Sequence, residues 1–207
     1  MTIGLTTFPI VAGEMLQHVS RIVYRSKPLY YGCDGTNRYD APDLDYGVLY
    51  LGRNLPTALM ESVFHKHEWD KDTNRSIAMA EVQSRLVRAV GVLEDLRLAD
   101  LTAEGVMAGY FGLNLGQLAS RDYLHTQQVS AQVYAMQGKD GVSLFDGVLY
   151  PSRNNYPSAS IALFERAKEK VKVFADIDLA DHVDWPHFVA SYRIGVVQPD
   201  PDLSKEP

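Results

Sequence analysis

The hydrophobic pattern along the chain alternates between two periods. "GVLYLG" at Gly47–Gly52 is apolar on both alternating faces, as in a strand buried on two sides. Nearly the same phrase, "GVLYPS", returns at Gly147–Ser152. Ser20–Ser26, with its β-branched and aromatic residues, reads as a short strand. Ser76–Gln83 and Arg85–Leu93 read as two further strands, a hairpin or neighbouring pair, and Lys170–Ala180 and Phe188–Val197 as late strands.

Helical spacing takes over in between. After the first phrase, Asn54 can cap a helix whose first turn tolerates Pro56, with Leu55, Leu59 and Val63 as the core stripe at i, i+4, i+8. Glu61 sits off that stripe, on the flank of Ala58 and His65. Leu101–Gly112 predicts a short helix capped by Thr102. Thr126–Gly138 predicts a better one, with Val129, Val133 and Met136 on one face and Gly138 as the stop. Ser158–Val171 reads as helical at least in part. Tyr30–Gly47, dense in Gly, Asp, Asn and Pro, is a long loop, and its aromatics and Arg38 argue against simple disorder. Strands and helices interleave without regular βαβ spacing. The expected fold is therefore α+β, a single domain over 1–207 with a mixed or largely antiparallel sheet, a core at about 18–196 and a frayed tail at 197–207.

Composition narrows the function classes. A formal net charge of −6 predicts no long-range attraction to nucleic acid, though a local basic pocket is compatible with it. The single cysteine, Cys33, excludes an internal disulfide or a multi-cysteine zinc site, in keeping with a reducing cytoplasm. The N-terminus lacks a basic n-region and meets Glu14 before any long apolar run, and no uncharged run approaches the ~20 residues of a membrane span. The expectation is a soluble cytoplasmic protein with no membrane association.

Candidate chemistry lies where strands end. Arg53 and Asn54 follow the first phrase, and Ser152, Arg153 and Asn154 close the second. Such positions are either ordinary surface loops or site walls. Arg21 and Arg38 are solvated charges or, beside Tyr24, Tyr39 and Tyr50, forked donors for a phosphate-bearing ligand with a ring. Glu61 is either a helix-flank carboxylate paired with His65 or Lys66 or a functional acid. His65 and His67 point about 200° apart on a helix, so no metal site is expected. Ser152 lacks a G-x-S-x-G elbow, Cys33 has no evident histidine partner, and no Rossmann or P-loop glycine signature is present. Two core strands ending alike account for the repeated phrase better than duplication of a module.

In order, the chain carries Arg21 in "SRIVY", the pair Arg38-Tyr39, then "GVLYLGRNLPTALMESVFH" and "DGVLYPSRN". This set, spanning about Arg21 to Phe164, resembles the RES domain, named for Arg, Glu and Ser, here Arg21, Glu61 and Ser152. The resemblance implies an ADP-ribosyltransferase-like fold and a toxin of a bacterial toxin–antitoxin pair that degrades NAD+ by hydrolysis or phosphorolysis. It implies as partner an Xre-like helix-turn-helix antitoxin that covers the active site. Two further readings stand beside it: transfer of ADP-ribose to a protein, as some relatives are reported to do, and a non-catalytic NAD-binding module.

On this resemblance Arg21, Glu61 and Ser152 are the catalytic set, with Arg38, Tyr39, Tyr50, Tyr24 and Arg153 binding the substrate. NAD+ is substrate, inorganic phosphate an optional co-substrate, and no cofactor or metal is called for. Ile22 stands where the family often has tyrosine, and Tyr24, expected on the same strand face, is its substitute. Asn37 precedes the second arginine where glycine is commoner. The two repeated strands are expected to bring Tyr50 and Ser152 to opposite sides of one pocket. The oligomeric state stays open, a homodimer included.

Overall fold

The computed structural model describes residues 4–27, 29–65 and 75–198. Its strands are β1 (Thr7–Ile10), β2 (Met15–Arg21), β3 (Val48–Gly52), β4 (Ser76–Ala78), β5 (Arg85–Val92), β6 (Leu96–Asp100), β7 (Gly147–Pro151), β8 (Ala159–Phe164), β9 (Val171–Asp178) and β10 (Gly195–Val197). The helices are α1 (Leu55–Glu61), α2 (Met79–Gln83), α3 (Leu115–Ala119), α4 (Leu124–Ala135) and α5 (Trp185–Ser191). Eight strands form one sheet in the order β1-β6-β7-β8-β3-β2-β5-β9. Every neighbouring pair is antiparallel except β6 with β7. The expected α+β class with a mixed, largely antiparallel sheet is what the chain adopts.

The two faces of the sheet are filled differently. Leu49 and Leu51 of β3 join Leu16, Val90, Leu98, Leu149, Ile161 and Leu163 in one cluster drawn almost wholly from strands. A sheet can bury one face against itself only by curling, which its accumulated twist permits. On the other face α4 covers Val48, Val148 and Ala162 with Val129 and Val133, and α1 packs over the β2–β5 side with Leu59, Met60 and Val63.

The repeated phrases are strands β3 and β7, and both pair antiparallel with β8, one on each side. Tyr50 stands opposite Ala162 and Tyr150 opposite Ser160, so both tyrosines project from the same sheet face, two positions apart along β8. Small residues on β8 leave room for the two rings. Gly52 ends β3 where α1 crosses. A β-carbon there would lie 2.5 Å from the Ala58 nitrogen, so only glycine lets the helix backbone come this close.

Several elements correct the sequence reading. β2 stops at Arg21 and residues 22–24 form a 3₁₀ turn, so Tyr24 does not continue the strand face that Arg21 ends. Ser76–Gln83 is a three-residue strand followed by α2, and β4 pairs with β10 and not with β5. Val106–Tyr110 is a π-helical turn. Thr102 caps nothing and instead donates to Asp100 through its backbone N–H (2.9 Å) and its hydroxyl (2.5 Å). β8 is a central strand in the stretch read as helical, with a 3₁₀ segment at Glu165–Lys170. α5 occupies the first half of the stretch read as a late strand. Helix α1 is shorter than its pattern implied. It is capped by Asn54, whose side chain accepts from the Thr57 N–H, and it closes at Ser62. Lys66, His67 and the residues beyond 198 lie outside the described residues.

Candidate functional site

Glu61 is the last residue of α1. A carboxylate there faces the unpaired carbonyl end of the helix, which by itself costs a few tenths of a kcal/mol to about 1. Three donors from the turn after β7 offset that cost at one oxygen. The Ser152 hydroxyl donates to Glu61 Oε1 at 2.6 Å, and the Arg153 and Asn154 backbone N–H groups follow at 3.1 and 3.4 Å. The Ser152 oxygen in turn accepts the Asn155 N–H at 2.9 Å. Asn155 continues outward, donating to Thr57 Oγ1 (3.1 Å) and accepting from the Tyr192 hydroxyl (2.6 Å). The polar turn after β7 is thereby bolted to both α1 and the end of α5.

Glu61 also borders a small cleft together with His18, Val19, Tyr50, Gly52 and Tyr150. The cleft has about 40 Å³ for the centres of water-sized molecules. The Tyr50 hydroxyl is already committed: it donates to Asp40 Oδ1 at 2.9 Å and accepts the Tyr39 N–H at 2.8 Å. Burial, then the Asp40 charge, pushes the Tyr50 hydroxyl pKa far above its ordinary value, so it stays a donor. Asp40 is itself fully buried. Burial raises its pKa, opposed by hydrogen bonds from Asn37 and Tyr50.

His18 and Val19 line both the small cleft and a larger one. The His18 Nδ1 lies 2.9 Å from the Tyr50 carbonyl, which can only accept, so Nδ1 carries the proton. Burial lowers the His18 pKa, the Tyr50 carbonyl bond raises it and Arg88 lowers it again; the net direction is down, and the ring is neutral at pH 7.

The larger cleft has a volume of about 720 Å³, and cations dominate its charged lining: Arg21, Lys27, Arg85 and Arg88, with Tyr24 and Tyr30 beside them. That volume lies within the few hundred to about 1,000 Å³ of small-molecule sites. Arg88 is buried. It builds the wall by donating to the carbonyls of Lys27 (2.8 Å), Tyr24 (2.5 Å) and Arg25 (3.2 Å). Glu81 bridges Arg21 (3.9 Å) and Arg85. Burial would raise the Glu81 pKa, but the Arg85 hydrogen bond and the two guanidinium charges outweigh it and hold the carboxyl below its usual range.

The residues singled out in the sequence fall into three groups. Glu61 and Tyr50 line the small cleft, with the Ser152 hydroxyl and the Arg153 backbone holding Glu61 from behind, and Arg21 and Tyr24 line the large one. Arg38 and Tyr39 form a third group behind them. The Arg38 guanidinium donates to the carbonyls of Leu118 (2.9 Å) and Pro151 (3.3 Å) and lies over the rings of Tyr39 and Tyr150. Tyr39 is fully buried with its ring against Tyr150, so it packs behind the site and lines neither cleft. The Arg153 guanidinium likewise turns away, to the carbonyls of Ala119 and Ser120 at the end of α3.

Two expectations therefore change. Ser152 is only 1% exposed with its hydroxyl spent on Glu61, so it positions the acid and does not face Tyr50 across a pocket. The residue of the second phrase that does line the cleft is Tyr150. Outside the site, Arg53 pairs with Glu14 at 3.5 Å, Asn54 serves as the α1 cap, Cys33 is exposed, and His65 contacts the Ser62 carbonyl.

Sequence reasoning missed His18, Asp40, Arg88 and Tyr150. Tyr150 had a signal, since it matches Tyr50 within the repeated phrase. His18 and Arg88 owe their roles to contacts between segments far apart in the chain, and Asp40 to a loop that folds back onto the Tyr50 hydroxyl. Among the described residues no group of three or more His, Cys, Asp or Glu side chains is placed to hold a metal ion. Among them, too, no helix is long and apolar enough to cross a membrane. Residues 15–186 match the family model of the RES domain. A search of curated proteins finds no match.

Proposed function

The chain belongs to the RES domain family, and from that premise we propose that it cleaves the nicotinamide–ribose bond of NAD+ by hydrolysis or phosphorolysis, as the toxin of a bacterial toxin–antitoxin pair. One observation carries the reading: a carboxylate fixed by three donors at one oxygen borders a cleft that opens onto a cationic, ligand-sized groove. Departure of nicotinamide turns a charged pyridinium into a neutral leaving group, so no general acid is needed. The barrier lies in the positive charge that develops on the ribose. Glu61 answers that charge, as carboxylates do for glycosyl cations. Its oxygen is held in place beforehand, so little reorganisation is needed in the transition state.

The two clefts divide the substrate. The pyrophosphate sits among Arg21, Lys27 and Arg85, with Tyr24 and Tyr30 flanking the adenosine half. The nicotinamide ribose reaches the junction at His18 and Val19, within range of Glu61 and Tyr50. Arg38, Tyr39, Ser152 and Arg153 hold this geometry from behind. The partner is an Xre-like helix-turn-helix antitoxin that covers the clefts, and the protein acts in the cytoplasm, where its substrate is.

The test is nicotinamide release from NAD+ by the purified protein, with and without phosphate, beside Glu61→Ala folded to the same degree. Release lost in the variant supports the reading, and its phosphate dependence separates the two acceptors. Folded wild type that releases none refutes it.

A further inference from the structure

The larger cleft carries more positive charge than a diphosphate calls for. Arg21, Lys27, Arg85 and Arg88 line it, and among the described residues no aspartate or glutamate does. Two of these cations are already engaged. Arg88 is buried, donates to three carbonyls and lies 3.7 Å from Asp176. Arg85 gives its Nε and one terminal nitrogen to Glu81, which is not itself in the lining. Arg21 meets the same carboxylate only at 3.9 Å and is half-exposed, so its guanidinium is open to a diphosphate. Lys27 is the other exposed cation of the cleft.

An exposed lysine is ordinarily a solvated charge; this one differs in its footing. Its carbonyl accepts from Arg88 at 2.8 Å and its N–H donates to the Tyr24 carbonyl at 3.0 Å, so the root of the side chain is fixed at the cleft rim. Among the described residues its ammonium meets no carboxylate, and it lies 5.3 Å from the centre of the Tyr24 ring. The Tyr30 ring, on a residue 74% exposed, lines the same cleft. Aromatic side chains take a purine by its faces. In adenosine the ribose 2′-carbon adjoins the carbon that bears the base. A base on these rings thus brings its 2′-position to a lysine that already stands beside them.

Resting on the NAD+-cleaving reading above, we propose that the cleft also takes a 2′-phosphorylated dinucleotide, so that NADP+ is a second substrate and Lys27 the partner of its 2′-phosphate. Dinucleotide sites that select a free 2′-hydroxyl place a carboxylate on it, whereas sites that take the phosphate place a cation there. Selection against NADP+ needs a repelling element, and among the described residues the lining holds none. The 2′-phosphate brings about 1.5–2 further negative charges at neutral pH, which the cationic excess can meet. The chemistry at the nicotinamide end is unchanged. The bond between ribose C1 and the pyridinium nitrogen breaks, its electron pair leaves with nicotinamide, and a water or phosphate oxygen bonds to C1. With water as acceptor, one proton passes to solvent.

The test compares nicotinamide release from NAD+ and from NADP+ by wild type, Lys27→Gln and Lys27→Arg. Wild type should give kcat/KM values for the two dinucleotides within about tenfold of each other. K27Q should lose on both, because Lys27 also flanks the diphosphate, and should lose about five- to tenfold more on NADP+. K27R, which keeps the charge, should restore the ratio. A Lys27 that only shapes the rim would move both substrates alike. NADP+ turned over more than about tenfold more slowly than NAD+ by wild type overturns the proposal while leaving NAD+ cleavage standing. So does a K27Q loss that is equal on the two. Nicotinamide from neither dinucleotide with folded wild type defeats instead the NAD+-cleaving reading on which the proposal rests.

Discussion

If Ser152 serves Glu61, the two must be energetically coupled, and the coupling can be sized from the geometry. The Ser152–Glu61 contact is a 2.6 Å bond from a buried hydroxyl to a carboxylate. Hydrogen bonds to a charged partner contribute roughly 1.5–3 kcal/mol, against about 0.5–1.5 for neutral pairs. Ser152→Ala removes that bond and also the acceptor of the Asn155 N–H. Stranding that part-buried donor adds up to roughly 1–3 kcal/mol, for a total of about 2.5–6. Glu61→Gln keeps an oxygen for the hydroxyl but discharges it. In a double-mutant cycle the interaction term is then the charged bond minus the neutral one, about 1–2 kcal/mol. Urea unfolding of the wild type, both single variants and the double variant at neutral pH measures it. Additive effects, within the ~0.3–0.5 kcal/mol seen for independent sites, would show that the bond does not hold the acid and would remove the basis for calling Ser152 a positioning residue.

Three further outcomes are expected. Gly52→Ala drives a methyl to 2.5 Å from the Ala58 nitrogen, so α1 must shift; we expect a loss of about 1–3 kcal/mol in thermal or urea unfolding, together with reduced nicotinamide release, because Glu61 moves with the helix. Tyr50→Phe takes the hydroxyl from both the buried Asp40 and the Tyr39 N–H, and a cost of about 1–3 kcal/mol is expected, with unaltered stability counting against the relay. The Tyr46 hydroxyl is pushed up to about 12, mainly by burial, above its ordinary 10.0. The unfolded chain therefore binds fewer protons between those values, so stability is retained below about pH 10 and falls as pH rises toward 12. Tyrosinate absorbance followed alongside unfolding in the wild type and Tyr46→Phe checks this, and identical alkaline losses in the two would contradict it.

Legibility in the sequence tracked how local the deciding interaction was. β3 and the cap of α1 were readable because an apolar run, Asn54 and Pro56 act over a few residues. β8 was not. Its six residues are buried on both sheet faces except at Ala159, so they show no alternation of burial, and the apolar run Ile161–Phe164 before Glu165–Lys170 passes equally well for a helix. α5 was misread by composition, although Trp185, Phe188 and Tyr192 already lay at helical spacing and stack along one side. The 3₁₀ turn after Arg21 is decided from outside its own residues, by Arg88 gathering the carbonyls of Tyr24, Arg25 and Lys27 from a strand more than sixty residues away.

The site divides the same way. Glu61 and Ser152 stand out as an ordered motif, but nothing near Ser152 in the sequence says that its hydroxyl points at Glu61 and not at a ligand. That follows only from the pairing of β7 and β3 with the same central strand, which brings the two segments side by side. His18 is lost for a related reason: its partners are the Tyr50 carbonyl and the cross-strand Arg88.

The three donors on Glu61 Oε1 also make this position a switch of polarity under the smallest substitution available. Glutamine has nearly the shape of glutamate, yet only one of its two terminal atoms accepts hydrogen bonds. The Ser152 hydroxyl and the N–H groups of Arg153 and Asn154 all point at the Oε1 position, so they select the amide oxygen for it and turn the NH₂ outward. A cleft wall that offered an anionic acceptor would then offer a donor. Glu61→Gln is thus a reversal of the local dipole rather than a simple neutralisation, and a positive charge growing nearby would meet hydrogens where it had met an oxygen.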